Sequence, residues 1–69
     1  MNSIFGKKLK ELRIEKGLKQ EELANALNVT QRKISYLETG KIEPDLMCLG
    51  KIADFFEVSV DYLLGRKED

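Results

Sequence analysis

Residues 20–38 read QEELANALNVTQRKISYLE, and the spacing of their apolar positions decides the fold. Leu23, Ala24 and Leu27 recur at the period of a helix, the pattern breaks at Asn28-Val29-Thr30, and it resumes with Ile34 and Leu37. Asn tolerates the left-handed backbone that ends a helix, and a Thr hydroxyl accepts from the free amides that open the next one. Two short helices joined by a very tight turn are therefore predicted.

So short a turn makes the helices cross steeply, and Ala24 is small where their backbones come closest. This is the geometry of a helix-turn-helix. With Val29, Ile34 and Leu37 facing inward, Gln31, Arg32, Ser35 and Tyr36 are left outward near the start of the second helix. Their donors and acceptors are of the kinds that read base edges.

Before this unit, from about Ser3 to Lys16, Ile4, Phe5, Leu9, Leu12 and Ile14 lie near one helical stripe, with Lys7, Lys8, Lys10, Glu11 and Glu15 largely outside it. Ser3 or Asn2 is expected to cap that helix and Gly17 to end it. Leu18 tucks the connection inward. Lys19 stands where a Ser or Thr cap is usual, although Glu21 and Glu22 favour the first turn that follows.

Beyond the unit, Gly40 stops the third helix, Pro44 opposes helix at Glu43, and Asp45 can cap a fourth helix with Leu46, Leu49, Ile52, Ala53 and Phe56 as its stripe. Ser59 then caps a short fifth helix, VDYLL, ending at Gly65. The expected fold is all-α, a compact bundle of five helices over residues 1–65, with 66–69 as a frayed tail.

Sixty-nine residues, 42% hydrophobic and 35% charged, suit one small globular domain. No apolar run approaches a membrane span, and MNSIFGKKLKEL lacks the basic-then-apolar order of a secretory signal, so a cytoplasmic protein is expected. Cys48, the single cysteine, lies in LMCLGKIA as a buried small hydrophobe, and with no histidine a structural zinc site is not expected. Asp54, Glu57 and Asp61 are scattered over different helices with no nucleophile or base nearby, which argues for solubility over catalysis or metal binding.

The formal net charge is zero, yet residues 1–41 hold nine Lys/Arg against five Asp/Glu, and 42–69 hold three against seven. The halves carry +4 and −4. A basic side bearing the two-helix unit is a usable footprint for DNA.

LKELRIEKGLKQEELA, VTQRKISYLETGKIEP and LGKIADFFEVSVDYLL together resemble the phage-repressor (Cro/cI-type, XRE-like) helix-turn-helix family, whose fold is the lambda-repressor-like DNA-binding domain. The resemblance runs from about Phe5 to Leu64. It implies that helix three enters the major groove of double-stranded DNA while helix two crosses the phosphate backbone. Carried over residue by residue, it places base contacts at Gln31, Arg32, Tyr36 and Ser35. Phosphate contacts fall to Gln20, Lys33, Thr39, Lys41 and Lys19. It also implies a partly buried ion pair between Arg13 and Glu38. This chain has Asn28 where the family usually has Gly, and Lys19 where it usually has Ser or Thr.

The function expected from this is a transcriptional regulator, a repressor, acting as a homodimer on a partly palindromic operator, with no enzymatic activity, cofactor or small-molecule ligand. The alternative is an antitoxin or anti-repressor whose acidic half binds another protein. Val60, Tyr62, Leu63 and Leu64 supply more apolar surface than one short helix easily buries, and they either form the dimer contact with the KIEP loop or simply close the monomer.

Overall fold

The computed structural model describes residues 4–66, in which five helices follow one another: α1 Ile4–Glu15, α2 Gln20–Leu27, α3 Gln31–Thr39, α4 Leu46–Phe56 and α5 Val60–Leu63. No strand occurs among the described residues. Each helix sends at least one side chain to full burial: Leu9, Leu23, Ile34 with Leu37, Ile52 and Leu63 have 0% exposure. Leu12, Leu18, Val29, Phe55 and Val58 close the core around them. The Phe55 and Phe56 rings meet edge to face, 4.9 Å between centroids.

Three of the four connections use the same corner. Gly17-Leu18-Lys19, Asn28-Val29-Thr30 and Glu57-Val58-Ser59 each begin with a left-handed residue, at φ of 72°, 60° and 57°. Each continues with an apolar residue that packs on the core and ends with an extended N-cap. The apolar residue donates its N–H back five positions: Leu18 to the Arg13 carbonyl at 3.0 Å, Val29 to Ala24 at 2.9 Å and Val58 to Ala53 at 3.0 Å. Carbonyls left orphaned at the helix end are thereby satisfied. Lys41 and Arg66 make the same bond, to the carbonyls of Tyr36 and Asp61, so Arg66 closes α5 rather than belonging to the tail.

Side-chain caps start the later helices. Thr30 Oγ1 accepts from Lys33 N–H at 3.1 Å, Asp45 Oδ1 from Cys48 N–H at 2.8 Å, and Ser59 Oγ from Tyr62 N–H at 2.9 Å. Lys19 offers no acceptor, and Glu22 Oε1 instead reaches back to the Lys19 N–H at 2.8 Å, half of a capping box. The expected caps of α1, Asn2 and Ser3, and the tail residues 67–69 lie outside the described residues.

Three apolar positions depart from the expected stripes. Ile14 is 58% exposed because it sits about 180° around α1 from Phe5. Ile4, also exposed, leans on the backbone of Gly65, where an added Cβ would lie 2.6 Å from its Cγ2. Leu46 is 88% exposed, at the edge of the stripe that buries Leu49, Ile52 and Phe56. No helix among the described residues is long and apolar enough to cross a membrane.

Candidate nucleic-acid interface

The corner at Asn28-Val29-Thr30 determines which side of α3 faces out. Ile34, Leu37 and Glu38 turn into the molecule. Side chains three, four and seven positions apart share a helical face. Arg32, Ser35, Tyr36 and Thr39 therefore form one row on the side opposite the buried residues, with Arg32 and Thr39 exposed and Ser35 and Tyr36 half-buried. Gln31, exposed, lies on the flank toward α2. Lys33 lies on the other flank, lining the cleft between Leu27, Val29, Met47, Cys48 and Lys51. Of the four expected base readers, Arg32, Ser35 and Tyr36 share the outward row, and Gln31 stands beside it at the helix entrance.

Tyr36 does not stand alone. Lys41 Nζ lies 5.2 Å from its ring centroid, and the Tyr36 carbonyl accepts the Lys41 N–H. The loop after α3 is thus folded against the outward face of that helix. Thr39 turns its hydroxyl inward along the helix, donating to the Ser35 carbonyl at 3.0 Å, and a phosphate would have to draw that proton away. Lys8, on α1, lies 4.5 Å over the Tyr62 ring. Cys48 is buried, and burial, the largest influence, pushes its thiol up despite nearby Lys33 and Lys51, so it is a poor nucleophile.

Behind α3 runs a chain of polar contacts. Arg13 Nε is 2.6 Å from Glu38 Oε2 and Arg13 Nη2 is 3.1 Å from Oε1, a two-pronged pair with 12% of the Arg13 and 3% of the Glu38 side chain exposed. Arg13 Nη1 also donates to the Leu18 carbonyl at 2.8 Å, tying the α1–α2 corner to α3. Gln20 Nε2 donates to Glu38 Oε1 at 3.1 Å, and Gln31 Nε2 donates to Gln20 Oε1 at 3.4 Å. Gln20 therefore does more than open α2. It joins the buried pair to a base-reading candidate.

Leu63 is a correction. Expected in a dimer contact with Val60, Tyr62 and Leu64, it is wholly buried in the core of its own chain and has no surface to offer. Val60 and Leu64 keep 38% each, whereas among the described residues the most exposed large apolar side chains are Leu46 and Met47 at the start of α4, at 88% and 78%.

A protein-family model described as helix-turn-helix matches residues 9–63. The SPbeta prophage-derived HTH-type transcriptional regulator YonR of Bacillus subtilis is 41% identical over 88% of this chain and 56% of its own length. The cryptic phage CTXphi transcriptional repressor RstR of Vibrio cholerae is 34% identical over 94% of this chain and 59% of its own. Among solved structures, a transcriptional regulator from Listeria innocua superposes with a TM-score of 0.84 at 35% identity, over 94% of this chain and 61% of that one. The chain thus spans little more than half the length of these relatives.

Proposed function

Because the chain belongs to the helix-turn-helix family of DNA-binding transcriptional regulators, we propose that it is a repressor that binds a partly palindromic operator as a homodimer, with α3 in the major groove. The observation that carries this reading is the outward row of Arg32, Ser35, Tyr36 and Thr39, with Gln31 at its entrance, on a helix only nine residues long. One such helix reads few base pairs, so high specificity calls for two copies on half-sites about one helical turn apart. Arg32 offers a fork that matches guanine, and Gln31 a donor and acceptor that match adenine. Gln20 at the first turn of α2, with Lys19, Lys33 and Lys41 around the row, supplies phosphate contacts that hold the helix in register.

Selection of bound sequences from a random DNA pool, followed by gel shifts across a salt series, tests the reading. The expected result is a motif with two-fold symmetry, half-site centres about 10 base pairs apart and an affinity that falls steeply with salt. No enriched motif, with binding confined to a protein partner, would replace it with a protein-interaction role.

A further inference from the structure

We propose that Glu38 helps select the base this protein reads although its buried carboxylate reaches neither bases nor phosphates. The inference rests on the reading of α3 given above and adds a residue to it. An ionised carboxylate only accepts hydrogen bonds, while a glutamine amide has one accepting and one donating end. Glu38 therefore orders the amides in front of it. Its Oε1 receives Gln20 Nε2 at 3.1 Å, so Gln20 must turn its oxygen away from the core and toward Gln31. That oxygen accepts from Gln31 Nε2 at 3.4 Å. One N–H of Gln31 is thereby engaged, and what it retains for the groove is one N–H donor beside its Oε1 acceptor.

That pair complements the N6 donor and N7 acceptor of adenine. The opposite order has a different outcome. Were Gln20 to turn its nitrogen outward, Gln31 would give up its oxygen to it and present only N–H donors, which suit the O6 and N7 acceptors of guanine. Glu38 prevents this inversion because it has no hydrogen to offer, and it cannot swing aside. Its two oxygens are clamped by Arg13 at 2.6 and 3.1 Å, and Arg13 is itself tied to the Leu18 carbonyl at 2.8 Å. Glu38 is a positioning residue for specificity, acting through Gln20 on Gln31.

The test compares wild type, Gln31→Ala, Glu38→Gln and Gln20→Met on the selected operator and on every single-base variant of it, across a salt series, with circular dichroism confirming that each variant is folded at the assay temperature. Glu38→Gln keeps the shape but introduces a donor, so Gln20 and Gln31 can invert together. Gln20→Met removes the relay and leaves the Arg13–Glu38 pair in place, which keeps the test open should Glu38→Gln fail to fold. The expected result is that both lose the adenine preference by roughly tenfold at the one base pair where Gln31→Ala loses it, with preferences at the other base pairs retained. The salt slope of Glu38→Gln should stay at the wild-type value. If the folded variants keep the wild-type preference at that base pair while Gln31→Ala loses it, the relay is refuted and the reading of α3 survives. If wild type prefers no base at any position, both fall.

Discussion

Glu38 is a carboxylate removed from water in a domain with few kcal/mol to lose, and its tolerance rests on three donors, two from Arg13 and one from Gln20. Arg13→Ala would leave that charge buried with only an amide beside it. Unfolding by heat or denaturant should show a loss of about 3–5 kcal/mol, far above the ~0–1 kcal/mol of a pair on the surface. A midpoint equal to wild type would mean that the pair contributes nothing. The outward residues divide by what they touch. Arg32→Ala should relax the preference at one base pair by ~1–3 kcal/mol, whereas Lys33→Ala should weaken all sequences alike and flatten the salt slope by about one unit, both read from the operator panel. That Gln31, Arg32, Ser35 and Tyr36 face away from the core followed from the positions of Ile34 and Leu37, which is information a sequence carries. The bond from Gln20 to Glu38 was not legible in that way. The two residues are 18 positions apart, and periodicity assigns a face to a side chain without saying which end of an amide it turns to a neighbour. Arg13 and Glu38, 25 positions apart, were linked only through the family resemblance.

At the scale of elements, the recurring corner explains why five short helices could be placed from the sequence at all. Each corner is written locally, in a residue that accepts the left-handed conformation, an apolar residue and a cap, so Asn28-Val29-Thr30 could be read without knowing what packs on it. Ile14 simply lies off the α1 stripe, whereas Ile4 and Leu46 fail for the complementary reason. A stripe shows which side of a helix is apolar, but not how far the neighbouring helices extend to cover it. Two of the corners are also imperfect in ways that can be tested. Glu57 holds φ of 57° with a Cβ that disfavours it. Glu57→Gly should raise stability by about 1 kcal/mol in chemical denaturation, and a loss would show that its side chain makes a contact worth more than the backbone strain. Lys19→Ser would supply the missing cap of α2 and add about 1 kcal/mol. If Lys19 meets a phosphate, the same variant should also bind DNA with a salt slope about one unit flatter, so a single substitution separates the two roles.

For the molecule as a whole, a zero net charge divided into +4 and −4 halves provides little long-range attraction to DNA, and the proposed contacts at α2 and α3 would have to supply the affinity. The proposed homodimer would require apolar surface that the monomer leaves uncovered. Met47 and Leu46 on α4, with Val60 on α5 and Leu64 just after it, offer it, and Leu63 does not. Replacing Leu46 and Met47 together by Glu should leave monomer stability within about 0.5 kcal/mol of wild type while shifting sedimentation toward the monomer. Leu63→Ala should instead unfold the domain more readily, by about 2–5 kcal/mol. A dimer unchanged by the Leu46 and Met47 replacements would move the interface to α5. The corners also bear on how fast the chain folds. Helical domains whose contacts are mostly local fold in microseconds to milliseconds, and each corner here closes by a bond back to the fifth residue before it. The Arg13–Glu38 clamp spans 25 positions and requires α1 and α3 already to be docked, so it should form after the rate-limiting step. Temperature-jump and stopped-flow measurements on Arg13→Ala should therefore find a folding rate close to wild type and an unfolding rate faster by roughly 10²–10⁴-fold. A folding rate slowed by that factor would place the clamp in the nucleus. If it is late, the buried pair acts chiefly as a latch, determining how long each molecule remains folded rather than how quickly it gets there.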